Sequence, residues 1–200
     1  KTYPTGIRPQ AKDIVRTWLY YTLLRCEKLT GEKPWSEAWI MGYGLDEKGM
    51  KMSKSKGNAL DPLPVIQKSG ADTFRFWSAS EINHGYDFRC SEQKIESTKK
   101  FLSKLWNVSR FLSSFPLIDS ANLTDTDKWI LSELDKLISE CNDGYAKYNF
   151  FIPALAIREF TWNVFAAHYI EMAKGRAYGI DFSDEERDAA IYTLHKVLST

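Results

Sequence analysis

Residues 51–58 read Lys-Met-Ser-Lys-Ser-Lys-Gly-Asn, and this stretch limits what the rest of the chain can be. Lys51, Lys54 and Lys56 fall within six residues, with Met52, Ser53 and Ser55 between them. Gly49 precedes the run and Gly57-Asn58 closes it. Glycine has no Cβ to restrict φ and ψ, so a loop bracketed in this way is free to move. Lysine carries a point charge on a long flexible stem, which suits phosphate, and serine hydroxyls add neutral donors. Such an inventory fits a loop that closes on a polyphosphate whose negative charge rises during reaction. The plain alternative is a solvated basic turn, and the flanking sequence decides between them.

Upstream, residues 1–9 are rich in turn formers and read as a loop or strand end. Ile14, Val15, Trp18, Leu19, Thr22 and Cys26 recur at spacings of three and four, which predicts a helix from Gln10 to about Leu29. Ala38–Gly42 is a short apolar run and predicts a buried strand. Downstream, Asp61 and Pro62 are an N-cap and first residue for a helix ending at Ser69-Gly70, and a second helix runs to about Ser80. Helix, strand and then phosphate loop describe the last crossover of a parallel α/β sheet. Ligands of such sheets sit outside the carboxyl ends of the strands.

Beyond Asn83-His84-Gly85 the pattern is helical. Helices are expected over about Glu92–Leu112, Asp125–Asn142 and Ile152–Ala173, and a last one opens at the capping box Ser183–Glu186. Charge divides along the same line. Residues 1–110 hold 19 Lys/Arg against 12 Asp/Glu, whereas residues 111–200 hold 8 against 14. The net charge of +1 hides this asymmetry, and a polyanionic partner belongs on the lysine-loop side. Cys26, Cys90 and Cys141 stand far apart with no Cys-x-x-Cys or Cys/His pair, so neither a metal site nor a disulfide framework is expected. No apolar run reaches membrane-spanning length, and a cytoplasmic setting without a membrane partner is expected.

The string Lys51–Ser55 followed by Gly57-Asn58, with residues 8–18 (RPQAKDIVRTW), resembles the C-terminal half of the catalytic domain of class I aminoacyl-tRNA synthetases. The resemblance implies an α/β, Rossmann-like nucleotide-binding part over 1–82, followed by an all-α anticodon-binding bundle, incomplete here, over 83–200. It implies Mg-ATP as a substrate and no metal held by the protein. Lys54 and Lys51 match the lysines expected to act on the phosphates, Ser53 and Ser55 match hydroxyl positions of the ATP loop, and Met52 is expected to hold its shape. Asp13 and Trp18 match a Gly-x-Asp pattern followed by tryptophan, with the Asp near the ATP ribose and the Trp in the amino-acid pocket. Ala11 stands where that pattern has glycine.

Residues 85–94 and 100–111 are similar to the valyl, isoleucyl and leucyl group. Residues 127–132 and 162–176 are closer to its valyl than its isoleucyl members. Valine and tRNA(Val) are thus the implied partners, with an isoleucyl enzyme as the alternative. Lys94, Asn107, Arg110 and Phe111 are the candidate tRNA contacts, because Arg beside an exposed aromatic suits phosphate contact and base stacking. Phe111 fits a helix core equally well. The class also needs a His-x-Gly-His motif, which this chain does not contain. The chain therefore reads as an internal piece of a larger ligase, inactive alone, or as a non-catalytic RNA-binding or interaction module derived from one.

Overall fold

A computed structural model describes residues 3–200. It divides into two compact units, one holding the residues up to Ile95 with Tyr148–Phe151, the other Glu96–Lys147 with Ile152–Thr200.

In the first unit, strands β1 (Thr5–Ala11) and β2 (Trp35–Met41) pair in parallel, with Thr5 opposite Trp35 and Ala11 opposite Met41. Parallel neighbours need a crossover, and helix α1 (Tyr20–Thr30) provides it. The expected helix start at Gln10 is corrected. Gln10 and Ala11 pair with Ile40 and Met41 in the sheet, and helical turns begin only at Lys12. Those turns are 3-10 over Lys12–Ile14 and π-helical over Val15–Leu19 before α1 begins. Strand pairing overrides a weak local helix preference there. The expected buried strand begins at Trp35 rather than Ala38, and only Trp35 is buried, because a lone parallel pair leaves faces and edges open.

Strands β3 (Gly44–Leu45) and β4 (Phe88–Arg89) form a second parallel pair. Between them run the lysine loop and helices α2 (Pro62–Ser69) and α3 (Ala71–Glu81). Asp61 caps α2 as its sequence predicts, with Oδ1 accepting from the Leu63 N–H at 3.0 Å. Trp77, Cys90 and Ile95 form a small core, and Met52, Leu60, Val65, Phe74 and Phe88 pack against it.

The second unit is helical: most of α4 (Glu92–Leu112), then α5 (Asp125–Ala146), α6 (Phe151–Glu159), α7 (Ile170–Ala177) and α8 (Asp184–Ser199). A π-helical stretch, Phe160–Tyr169, joins α6 to α7. Its core gathers Leu112, Ile130, Leu134, Phe165, Tyr169, Ile191 and Leu194. Ser183 and Glu186 form the predicted capping box of α8. Thr124 and Asp127 form another at the start of α5, and here the carboxylate has a second duty. Asp127 is fully buried and accepts from Arg176 Nη2 (2.6 Å), Arg176 Nη1 (3.0 Å), Tyr169 Oη (2.6 Å) and Thr124 Oγ1 (2.7 Å). Burial alone would raise its pKa, but these hydrogen bonds outweigh burial and hold it below the ordinary carboxylate value. No helix among the described residues is long and apolar enough to cross a membrane.

Candidate active site at the strand ends

Asp13 follows the carboxyl end of β1, and Tyr43 follows that of β2. Lys51 reaches both. Its Nζ donates to Asp13 Oδ2 at 3.0 Å and lies 3.8 Å from the centre of the Tyr43 ring. The first lysine of the loop thus stands where parallel α/β sheets bind their ligands. Lys12 lies alongside, 2.6 Å from Asp87 Oδ1 and 4.5 Å from the Tyr43 ring centre. Asp87 Oδ1 also accepts from the Tyr43 N–H at 2.7 Å. Lys12, Tyr43 and Asp87 escape sequence reasoning, because nothing in their spacing signals that they meet.

The charges hold one another ionised. The hydrogen bond to Asp13 raises the Lys51 pKa, and the same bond lowers that of Asp13. The bond from Lys12 lowers the pKa of Asp87. The Lys51 and Asp13 side chains are 48% and 40% exposed. An ion pair so open to water adds little to stability, so Lys51 can exchange Asp13 for another anion at low cost.

The loop has a fixed stem and an open tip. Met52 packs against the Trp77 core, and its N–H donates to the Gly44 carbonyl at 3.0 Å. Ser53 Oγ accepts from the Lys56 N–H at 3.3 Å and lies 3.1 Å from Ser55 Oγ. Lys54–Lys56 make one 3-10 turn, closed by Gly57 at φ 68°. Gly49, at the other end, also has positive φ, 81°, a conformation that side chains disfavour. Lys54 is exposed and makes no ion pair among the described residues. A hollow of about 450 Å³ is lined by Lys54 and Gly57, and one of about 550 Å³ by Met52, Gly57 and Asn58.

Trp18 lies in the π-helical turn, its ring stacked on Trp35 (centroids 6.1 Å, planes 13° apart), with the Arg8 guanidinium 3.7 Å from its ring centre. It is 41% exposed. Gln10, near the end of β1, is buried, yet neither polar atom of its amide has a partner among the described residues. Sequence reasoning missed it, because one glutamine in a strand carries no signal.

The candidate tRNA contacts separate. Lys94 is paired with Glu81 at 2.5 Å within the first unit. In the second, Asn107 and Phe111 line a groove of about 790 Å³ with Lys99, Lys100, Lys104 and Lys174. Arg110 is exposed beside it. Phe111 is half-buried rather than exposed, set edge-on to Phe115 (5.2 Å) and Tyr178 (6.2 Å), because its face of α4 packs on the helical core. The exposed aromatic on this helix is Trp106, one turn before Arg110 and 67% exposed.

A crossover-linked parallel pair with a lysine loop at its carboxyl end, and a helical bundle next in the chain, define a class. Residues 1–91 match the family model of tRNA synthetases class I (I, L, M and V), and residues 127–200 match that of the anticodon-binding domain of tRNA ligase. The chain belongs to the class I tRNA synthetases. Within that class it is similar to valine–tRNA ligases. It is 44% identical to that of Aeropyrum pernix (96% of this chain, 24% of that protein) and 45% to that of Pyrobaculum aerophilum (98% and 25%). The chain spans about a quarter of the length of the curated relatives it matches. Its fold is similar to part of that of Mycobacterium tuberculosis methionyl-tRNA synthetase, solved with methionyl-adenylate (TM-score 0.81, 21% identity, 98% of this chain and 40% of that one). It is likewise similar to part of that of an Agrobacterium radiobacter K84 LeuRS in a ternary complex with tRNA and LeuAMS (TM-score 0.70, 18% identity, 98% and 26%).

Proposed function

We propose that the whole protein is a valine–tRNA ligase, and that this chain supplies the lysine-loop half of its ATP site and part of its tRNA-binding surface. The division of labour is 1–82 for catalysis and 83–200 for the anticodon-binding domain. In the first step the valine carboxylate attacks the α-phosphate of ATP, and pyrophosphate leaves. The carboxylate is a weak nucleophile, so the rate depends on positioning and on neutralising charge as it gathers on the departing pyrophosphate. In the second step a ribose hydroxyl of tRNA(Val) attacks the valyl carbonyl of the adenylate, an ester forms and AMP leaves.

The observation that carries this reading is Lys51 bonded to Asp13 at the carboxyl ends of β1 and β2. Bound Mg-ATP gives Lys51 a phosphate in place of Asp13, and Asp13 is released to accept from the ribose hydroxyls. Lys54, unpaired on the open tip, closes on the phosphates as the second cation. Ser53 and Ser55 trade their mutual contact for phosphate oxygens, while packed Met52 keeps the stem in place. Trp18, part-exposed in its π-helical turn, contacts the valine side chain. Asn107, Arg110 and Phe111, with the groove lysines, face the tRNA, and Trp106 supplies the stacking surface that Phe111 lacks. Lys94 contributes charge at the start of α4.

The test is amino-acid-dependent ATP–pyrophosphate exchange by the full-length protein. Valine is expected to drive exchange with the higher kcat/KM. Isoleucine doing so equally well would make this an isoleucyl enzyme, and no exchange with either would leave a non-catalytic module.

A further inference from the structure

Asn58 closes the lysine loop, and its side-chain amide is used at both ends. Oδ1 accepts from the Ser53 N–H at 2.9 Å. Nδ2 donates to Asp46 Oδ2 at 2.9 Å and to the Lys51 carbonyl at 3.3 Å. Asp46, immediately after β3, accepts from the backbone N–H of Lys48 (3.0 Å) and Met50 (2.8 Å) through Oδ1. One amide and one carboxylate thus join the turn before the loop, the backbone of Lys51 and Ser53, and the far end of the loop. Residues 54–57 lie beyond this junction, held among the described residues by the backbone bonds of their own turn and by Ser53.

We infer that Asn58 and Asp46 form a clasp that positions Lys51 and Lys54 relative to one another, so that the tip moves on a fixed stem when the loop closes. The inference rests on the ATP-loop reading above and names the residues that make that loop precise. The two partners are chemically distinct. Asp46 faces three donors and no acceptor, so a carboxylate fits it. Asn58 must accept from Ser53 and donate to Asp46, which an amide does and a carboxylate cannot. The hydrogen bonds of both side chains go to backbone groups and to each other rather than to a lysine ammonium, so both act by positioning the lysines.

Exchanging the partners tests the clasp in the full-length enzyme. Asn58→Asp sets two carboxylates against each other, and Asp46→Asn allows its amide nitrogen to face donors. Each alone is expected to lower kcat for ATP–pyrophosphate exchange about tenfold to hundredfold, while KM for valine stays within about twofold, because a misplaced lysine costs rate while the amino-acid pocket is untouched. The double variant Asp46→Asn/Asn58→Asp restores a donor facing an acceptor, and the carboxylate it places at position 58 still accepts from Ser53, giving up the longer bond to the Lys51 carbonyl. It is expected to recover to within about fivefold of wild type. Single variants that keep more than half the wild-type kcat would overturn the clasp, and so would a double variant no better than the worse single. Lys54→Ala separates this from failure of the underlying reading. Exchange lost in Lys54→Ala but kept in Asn58→Asp overturns the clasp alone, whereas exchange kept in Lys54→Ala removes the loop from the chemistry altogether.

Discussion

Asp127→Asn is expected to destabilise the helical unit more than any change at the lysine loop. The carboxylate is fully buried, and Arg176, its principal partner, is 6% exposed. The substitution keeps the shape but leaves a buried guanidinium facing a neutral amide, whose nitrogen adds a donor where the site already supplies several. Breaking a buried pair from one side costs about 3–5 kcal/mol. At about 2–4 °C per kcal/mol for a chain of this size unfolding as a whole, the transition falls by about 6–20 °C. Removing the charge from both sides, as in Asp127→Asn/Arg176→Met, leaves no unpaired ion and is expected to cost less than the two single changes added together. Thermal unfolding followed by circular dichroism and calorimetry measures both. A loss below about 1 kcal/mol for Asp127→Asn, within the range of surface changes, would refute the reasoning. So would strict additivity in the double variant. The pH dependence follows the same bonds. The folded pKa lies below the unfolded value, so this stabilisation is fully present at neutral pH and is lost as the medium is acidified below about pH 4.

Other consequences are smaller and more local. Asp13→Asn is expected to raise KM for ATP about tenfold through the lost ribose contact while moving the unfolding temperature by less than about two degrees, because its bridge to Lys51 is exposed; an unchanged KM would take Asp13 out of the nucleotide site. Trp106→Ala is expected to weaken tRNA binding about fivefold to 150-fold, the value of one stacked base, and to leave valine-dependent exchange unaltered. Filter binding at fixed salt measures the first effect, and undiminished affinity would show that the exposed indole has another use.

The lysine loop could be read in the sequence because its chemistry is contiguous: three cations, two hydroxyls and the glycines at its borders lie within ten residues. The caps of α2 and α8 were legible for the same reason, since each is a contact over two or three residues. The Asp127–Arg176 pair joins residues 49 apart, and each charge by itself looks like an ordinary surface residue. The meeting of Lys51 with Asp13 and Tyr43 was equally hidden, because it depends on the register of β1 with β2. Gln10 was drawn into β1 although helix periodicity begins close behind it, and only strand pairing decides such a boundary. Trp106 and Phe111 show how little margin a helical wheel leaves. Five positions apart on α4, the first turned out to face water and the second to pack on the core.

The central claim is that Lys54, on the open tip of the loop, neutralises charge on ATP as pyrophosphate departs. Valine-dependent ATP–pyrophosphate exchange by the full-length Lys54→Ala variant tests it most directly. By comparison with the loss of a single oxyanion donor, kcat is expected to fall about 100- to 1000-fold, with KM for valine little changed. A Lys54→Ala enzyme that exchanges pyrophosphate at close to the wild-type rate would contradict the account.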